Sequence, residues 1–246
     1  MIIGSKLLYF ENLPSTNTHA AFLQKNSGLV EGTIVYTNYQ VAGRGQAGNK
    51  WESEEGKNLL ISIVLFPSFI IPVNQFLISM TISLGICDFL GRYIPVSRIK
   101  WPNDIYVNND KIAGLLIENS LMGNQIESTI AGIGLNVNQN IFKSDAPNPV
   151  SLKSIIKRDL DLLTCLNELA SDLDLRYKQL REGNFDSIKK EYISQLFRLN
   201  KWSDYGEKNG AFNGRITSLS ESGNLLIETR SGKTKEYSFK EVEFIL

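Results

Sequence analysis

The sequence predicts an α+β domain over residues 1–198 followed by a small β-barrel module over residues 199–246. Three features point there. Short β-branched and aromatic runs gather between Thr33 and Val137, with helix-like segments among them. From Leu152 to Leu196 apolar residues recur at i, i+3 and i+4, as on one face of a helix. Near Leu199 the texture changes to brief strands set apart by glycine and asparagine turns, which suits a small barrel.

Taken in order, Ser15 can cap a helix running to about Asn26. Thr33 to Asn38 reads as a strand leading into a glycine-rich loop. Asn58 to Phe66 is apolar at successive positions, so it reads as a strand covered on both faces. Pro72 starts a helix reaching about Tyr93. Arg98–Trp101, Ile105–Val107 and Lys111–Glu118 read as short strands, with a hairpin turn at Asn108-Asn109-Asp110. Glu127 to Val137 continues the sheet, and Leu152 to Leu196 is helical. In the tail, strands are expected at Gly214–Leu219, Leu225–Thr229 and Lys235–Phe239, between turns at Asn209-Gly210, Ser222–Asn224 and Ser231–Lys233.

Composition narrows the function. Lys+Arg and Asp+Glu both number 26, so no global field steers the chain toward nucleic acid or an anionic membrane, and any anion site must be local. The two cysteines, Cys87 and Cys165, fall in apolar or helix-like stretches and read as buried free thiols of a reducing compartment. The N-terminus lacks the basic start of a secretory signal. The apolar stretch from Phe69 to Leu90 is interrupted by Pro72, Asn74, Gln75 and Asp88, which argues against a bilayer span. The expected location is cytoplasmic.

Three clusters carry chemistry. Gly43 to Trp51 reads GRGQAGNKW: three glycines and four polar or charged side chains that can bring N–H groups and fixed cations to an anion. GRGQAG literally fits a dinucleotide fingerprint, but the loop runs on to a strand, and Ile63–Ile70, about 20 residues later, holds no acid for a ribose. Arg44 is permanently charged and forked, suiting a carboxylate or phosphate. Trp51 is either a core hinge or a lid over a flat ligand. The second cluster is KWPNDIYVNNDKIAGLLIE, Lys100 to Glu118. Trp101-Pro102 favours an extended backbone, leaving Asn103 and Asp104 at a strand end, where a carboxylate can hold Mg²⁺ beside phosphates. Lys111 opens the next strand, and Gly114 permits close backbone approach. The third, GIGLNVN at Gly132 to Asn138, suggests a bulged strand beside a ligand, with Asn136 offering both donor and acceptor.

Other chemistries have less support. His19 is the single histidine and falls on the first helix. There is no zinc pattern, Walker A sequence or G-x-S-x-G elbow.

Together these segments resemble the biotin protein ligase family. The motifs, in family order, are PSTN at Pro14–Asn17, QVAGRGQAGNKW at Gln40–Trp51, KWPNDI with KIAGLLIE, and GIGLNVN. The resemblance implies a class II synthetase-like α+β catalytic domain with a C-terminal SH3-like barrel. It also implies an ATP-dependent enzyme that makes biotinyl-5′-AMP and transfers biotin to a lysine of the biotin carboxyl carrier protein of acetyl-CoA carboxylase. Because the chain starts almost directly at the catalytic domain, the expectation is a monofunctional ligase without a DNA-binding role, not membrane-bound, and monomeric or homodimeric. By position, Ser15, Thr16, Asn17, Gln40, Gly43, Arg44 and Gly45 would line the biotin pocket. Lys111 would contact the biotin carboxyl and the phosphate, with Lys100 a second cation there. Asp104 would orient the incoming amine, hold Mg²⁺, or both, and Asn136 would contact the nucleotide; Gln46, Trp51, Asn103 and Gly114 complete the expected site.

The sequence departs from the bacterial loop pattern G-R-G-R-R-G: Gln46 and Ala47 replace two arginines, so the adenylate is expected to escape more readily. The nearest alternative is a lipoate ligase or octanoyltransferase of shared architecture, the transferase needing a cysteine nucleophile. A non-catalytic module holding a nucleotide or vitamin is a second alternative. A nucleic-acid-binding β-tail, resting on Lys233, Lys235 and Lys240, is a third.

Overall fold

The computed structural model describes residues 1–143 and 148–245; the side chain of Ala47 and the last residue of the expected barrel lie outside the described set. The chain forms β1 (Lys6–Leu13), α1 (Thr16–Ser27), β2 (Thr33–Gln40), β3 (Asn58–Leu65), α2 (Phe76–Gly91), β4 (Arg98–Lys100), β5 (Asp104–Val107), β6 (Asp110–Met122) and β7 (Gln125–Asn136). Three helices follow: α3 (Leu152–Ile156), α4 (Leu162–Arg181) and α5 (Phe185–Ser194). The tail forms β8 (Trp202–Glu207), β9 (Gly210–Leu219), β10 (Leu225–Thr229), β11 (Thr234–Tyr237) and β12 (Glu243–Phe244).

The first seven strands form a mixed sheet in the order β1-β2-β3-β7-β6-β5-β4, parallel between β1 and β2 and antiparallel elsewhere. Strand β3, NLLISIVL, is buried at every position because both sheet faces are covered. On one face Val35, Val64 and Ile130 pack with Leu13 and with Ala20 of α1. On the other, Ile34, Ile63 and Ala131 join the main core with α2 and α4. The tail is a separate antiparallel sheet in the order β11-β10-β9-β8-β12; no pairing closes it into a barrel among the described residues.

Several expectations change. Residues 6–13 carried no assignment, yet they form the edge strand β1. Pro72 starts a single 3₁₀ turn, and α2 begins at Phe76. The helical stretch from Leu152 is broken twice: Lys157 at φ 60° ends α3, Asp161 caps α4 by accepting from Thr164 N at 2.8 Å, and Gly183 at φ 83° separates α4 from α5. Ser15 stands at the N-cap of α1 without a side-chain capping bond. Trp101-Pro102 is a cis peptide within the β4–β5 turn, not extended chain. The expected bulge at Gly132–Asn138 is absent; β7 pairs regularly with β3 through Asn136, and the register shifts fall at Ile105/Tyr106 and Ser120/Leu121. Pro72–Gly91 is long and apolar enough, at hydropathy 1.4, to cross a membrane by composition, but 78% of its most apolar 18-residue stretch is buried inside the fold. Its covering by α4 and α5, rather than its polarity, marks it as a core helix.

Candidate active site

The loop after β2 folds back on itself. Arg44 bridges Lys50 in antiparallel fashion, Gly45 N donates to Asn49 O at 2.6 Å, and Trp51 N donates to Gly43 O at 3.0 Å. Gln46–Gly48 is one 3₁₀ turn, and no α-helix starts within it, as the exclusion of a dinucleotide fold requires. The fold-back lowers the Trp51 indole onto the sheet, where Gly114 of β6 lies directly opposite Gly134 of β7. A Cβ on Gly134 would stand 2.3 Å from Trp51 Cε2, so only glycine admits the ring. Gly132 does the same for α1: a Cβ there would stand 2.2 Å from Asn17 Oδ1. The glycines of the third motif therefore serve close approach of side chains to a flat floor, not a bulge. Trp51 is a packed element of the site in this state.

Above this floor lies a cleft of about 660 Å³, lined by both Arg44 and Lys111. All the expected site residues border it except Gly43 and Asn136. Gly43 lies behind the loop, where a Cβ would meet Trp51 O at 2.4 Å. Asn136 is buried at the end of β7; its Nδ2 donates to Val150 O at 3.1 Å, while its Oδ1 has no hydrogen-bond partner.

One end of the cleft is a network of neutral polar side chains that ends on the Glu118 carboxylate. Gln40 Oε1 accepts from Thr16 N at 2.8 Å and from Thr16 Oγ1 at 3.1 Å. Ser62 Oγ lies 2.8 Å from Thr16 Oγ1 and donates to Asn17 Oδ1 at 2.6 Å. Asn17 Nδ2 donates to Leu116 O at 3.1 Å and to Glu118 Oε2 at 2.8 Å. Sequence reasoning missed Ser62; the available signal was one hydroxyl residue in the apolar interior of a fully covered strand, NLLISIVL.

The other end is cationic. The β4–β5–β6 meander sets Lys100 opposite Asp104, and Lys111 Nζ meets Asp104 Oδ1 at 2.6 Å. Lys111 Nζ also lies 5.6 Å from the Trp51 ring centroid. Lys100 Nζ donates to Tyr106 OH at 3.1 Å and lies 5.0 Å and 5.3 Å from the Tyr106 and Phe244 ring centroids. Burial pushes the Lys100 ammonium below its ordinary pKa; Asp104 opposes that shift and Lys111 adds to it. Arg44 stands at the Asn17 end instead, half exposed and held by Glu118, Nη2 to Oε1 at 2.6 Å. Both expected anion-gripping cations thus rest on internal carboxylates.

A further wall comes from the C-terminal sheet, which places Phe239, Lys240, Val242, Glu243 and Phe244 on the cleft. It is fastened there by Trp101 Nε1 donating to Gly223 O at 2.9 Å and by the Phe239 ring, 5.2 Å from Trp101 and 5.8 Å from Phe76. Sequence reading expected the tail to help position ATP or the carrier, but named none of these residues for the site. Of the basic residues suspected of nucleic-acid binding, Lys240 borders the cleft and Lys235 pairs with Glu207 at 2.8 Å.

Two thiols and one imidazole stand apart. Cys87 is a buried free thiol on α2, raised to about 12 by burial, and it does not border the cleft. Cys165 is likewise buried and free. His19 packs edge-on to Phe10 at 4.4 Å and also lies off the cleft. No group of three potential metal ligands occurs among the described residues.

Comparison with known proteins gives the following. Residues 9–138 match the model of the biotin/lipoate A/B protein ligase family. The chain is 31% identical to the bifunctional ligase/repressor BirA of Bacillus subtilis, over 96% of this chain and 74% of that one. It is 29% identical to a biotin–[acetyl-CoA-carboxylase] ligase of Paracoccus denitrificans, over 88% and 92%. The structure of a biotin protein ligase from Aquifex aeolicus in complex with biotin and ATP superposes with a TM-score of 0.81 at 27% identity, covering 97% of this chain and 98% of that one.

Proposed function

The chain belongs to the biotin/lipoate A/B protein ligase family, and from that premise we infer that it is an ATP-dependent biotin protein ligase. It activates biotin as biotinyl-5′-AMP and transfers it to a lysine of the biotin carboxyl carrier protein of acetyl-CoA carboxylase. The observation that carries the residue-level reading is the single cleft bordered by Arg44 and Lys111 together, next to a neutral polar end. Its volume suits a small-molecule site.

The chemistry explains why such a cleft is needed. A carboxylate is a poor electrophile at neutral pH, so one of its oxygens must become part of a leaving group. In the first step a biotin carboxylate oxygen attacks the α-phosphorus of ATP, the bond to the β-phosphate bridging oxygen breaks, and pyrophosphate leaves. Two anions must approach, so cations at the phosphate lower the barrier. Lys111 is assigned to the carboxyl and α-phosphate, Lys100 to the phosphates, and Arg44 to the loop that folds over the adenylate. The paired resting state supports this: each cation is prevented from desolvating alone, and the ligand's anions replace the internal carboxylates. In the second step the carrier's lysine amine attacks the acyl carbon, loses a proton, and AMP leaves. Asp104, released from Lys111 by the phosphate, is the carboxylate assigned to orient that amine.

Thr16, Gln40 and Asn17 are assigned to biotin's ureido ring, whose donors and acceptor call for neutral hydroxyl and amide partners. Asn136 is assigned to the nucleotide by its place in the GIGLNVN motif, although it lies buried off this cleft with Oδ1 unpartnered. ATP enters as MgATP: a single carboxylate, Asp104, suits a Mg²⁺ held mainly by phosphate oxygens and water. A cysteine-dependent acyl transfer is disfavoured by the remote, protonated Cys87. Mass spectrometry of a carrier domain incubated with the enzyme, biotin and MgATP tests the function. A gain of one biotinyl group on one lysine is expected; modification with lipoate but not biotin would overturn it.

A further inference from the structure

Glu118 lies on β6 beyond the stretch paired with β5, and it is the carboxylate that meets the loop's Arg44. Its two oxygens meet two neighbours that border the cleft, Arg44 and Asn17. Oε1 accepts from Arg44 Nη2 at 2.6 Å, while Oε2 accepts from Asn17 Nδ2 at 2.8 Å and faces Arg44 Nη1 at 3.5 Å. The loop is thereby linked to α1 through Glu118, beside one direct contact in which Arg44 Nη1 donates to Thr18 Oγ1 at 3.3 Å.

The Asn17 contact fixes an orientation. The amide is buried, with Nδ2 directed at two acceptors, Leu116 O and Glu118 Oε2, and Oδ1 accepting from Ser62 Oγ. A flipped amide would set its oxygen against both acceptors and its nitrogen against the donor Ser62 now supplies. Gly132 leaves the space in which this amide sits. The Arg44 contact is different in kind, since both side chains are substantially exposed, at 48% and 37%. Such a pair is weak and readily exchanged for another anion.

We propose that Glu118 is a positioning residue, one carboxylate that sets the Asn17 amide and draws the glycine loop toward the same end of the cleft before ligand arrives. The proposal rests on the biotin-ligase reading of the cleft. It follows that Glu118 acts on substrate capture more than on the chemical step: a loop less often in place lowers apparent affinity by the lost population.

The test uses Glu118→Gln, which keeps an acceptor for Asn17 but removes the charge facing Arg44, and Glu118→Ala, which removes both. Ligand-free protein is treated briefly with trypsin, and cleavage after Arg44 is compared with cleavage after the exposed Lys157. Pyrophosphate release then gives kcat and KM for biotin. For Glu118→Gln we expect cleavage after Arg44 and KM for biotin each to rise roughly two- to fivefold, the range of an exposed ion pair. Cleavage after Lys157 should be unchanged and kcat should move less than about twofold. Glu118→Ala should raise KM for biotin further. Should the alanine variant not fold, Glu118→Gln decides alone. Wild-type cleavage after Arg44 in Glu118→Gln, or a fall in kcat at unchanged KM, would overturn the role of Glu118. Wild-type enzyme that releases no pyrophosphate with biotin would overturn the reading of the cleft instead.

Discussion

Lys100 stands between two opposing influences, burial that disfavours its charge and Asp104 that favours it, and burial is the larger. A lysine with a lowered pKa loses its proton at lower pH than its ordinary value of 10.5. Adenylate formation should therefore weaken as pH rises, with an alkaline limb below the ordinary lysine range. Lys100→Arg keeps the charge throughout, so kcat/KM for MgATP followed by pyrophosphate release should show that limb moved upward or gone. Identical limbs in both proteins would exclude Lys100 as its source. Gln46 opens the 3₁₀ turn of the loop and borders the cleft as a neutral group. Gln46→Arg should slow adenylate dissociation, and equal off-rates would show that the charge at this position is idle. Arg44 was legible in the sequence as a fixed charge amid loop glycines, whereas Lys100 and Lys111 were legible through the family motifs that hold them. Ser62 and Glu118 were not, since each is an ordinary strand residue whose use depends on what α1 and the loop bring beside it.

At the scale of elements, strands β6 and β7 do the positioning. Their facing glycines make a flat strip for the Trp51 indole, and Gly134→Ala would force a methyl into the ring. Overpacking of this kind costs about 1–3 kcal/mol. Urea unfolding should show a loss in that range, and most of it should disappear when Gly134→Ala is made in a Trp51→Phe background, where the smaller ring leaves room. A loss independent of Trp51 would mean that backbone strain, not the indole, sets the need for glycine. The central strands were legible from their patterning: β3 is apolar at all but Asn58 and Ser62 because it is covered twice, and β6 and β7 carry recognisable motifs. Strand β1 was not, since KLLYFENL lies at an edge with mixed exposure and lacks a clean alternation. The helical stretch from 152 to 196 read as continuous because periodicity continues across α3, α4 and α5; the breaks are local, at Lys157, Asp161 and Gly183.

For the molecule as a whole, neutrality is reached by equal numbers of opposite charges, while the cleft gathers cations and pairs two of them with Glu118 and Asp104; on the proposed reading a ligand's anions replace those carboxylates. The C-terminal sheet completes the cleft through contacts that join residues over 100 positions apart in the chain, such as Trp101 with Gly223. No local pattern encodes that return, which is why the β-tail was legible as a module but not as a wall of the site. The central claim is that Arg44 and Lys111 act on one ligand within one cavity. A double-mutant cycle on adenylate formation tests it most directly, with Arg44→Ala, Lys111→Ala and the double variant assayed for pyrophosphate release from biotin and MgATP. Lys111→Ala should lose about 3 kcal/mol of transition-state stabilisation, on the scale of other lost oxyanion donors. The double variant should lose less than the sum of the two single losses, with a coupling of about 0.5–3 kcal/mol. Losses that add without coupling would contradict the shared cavity on which the account depends.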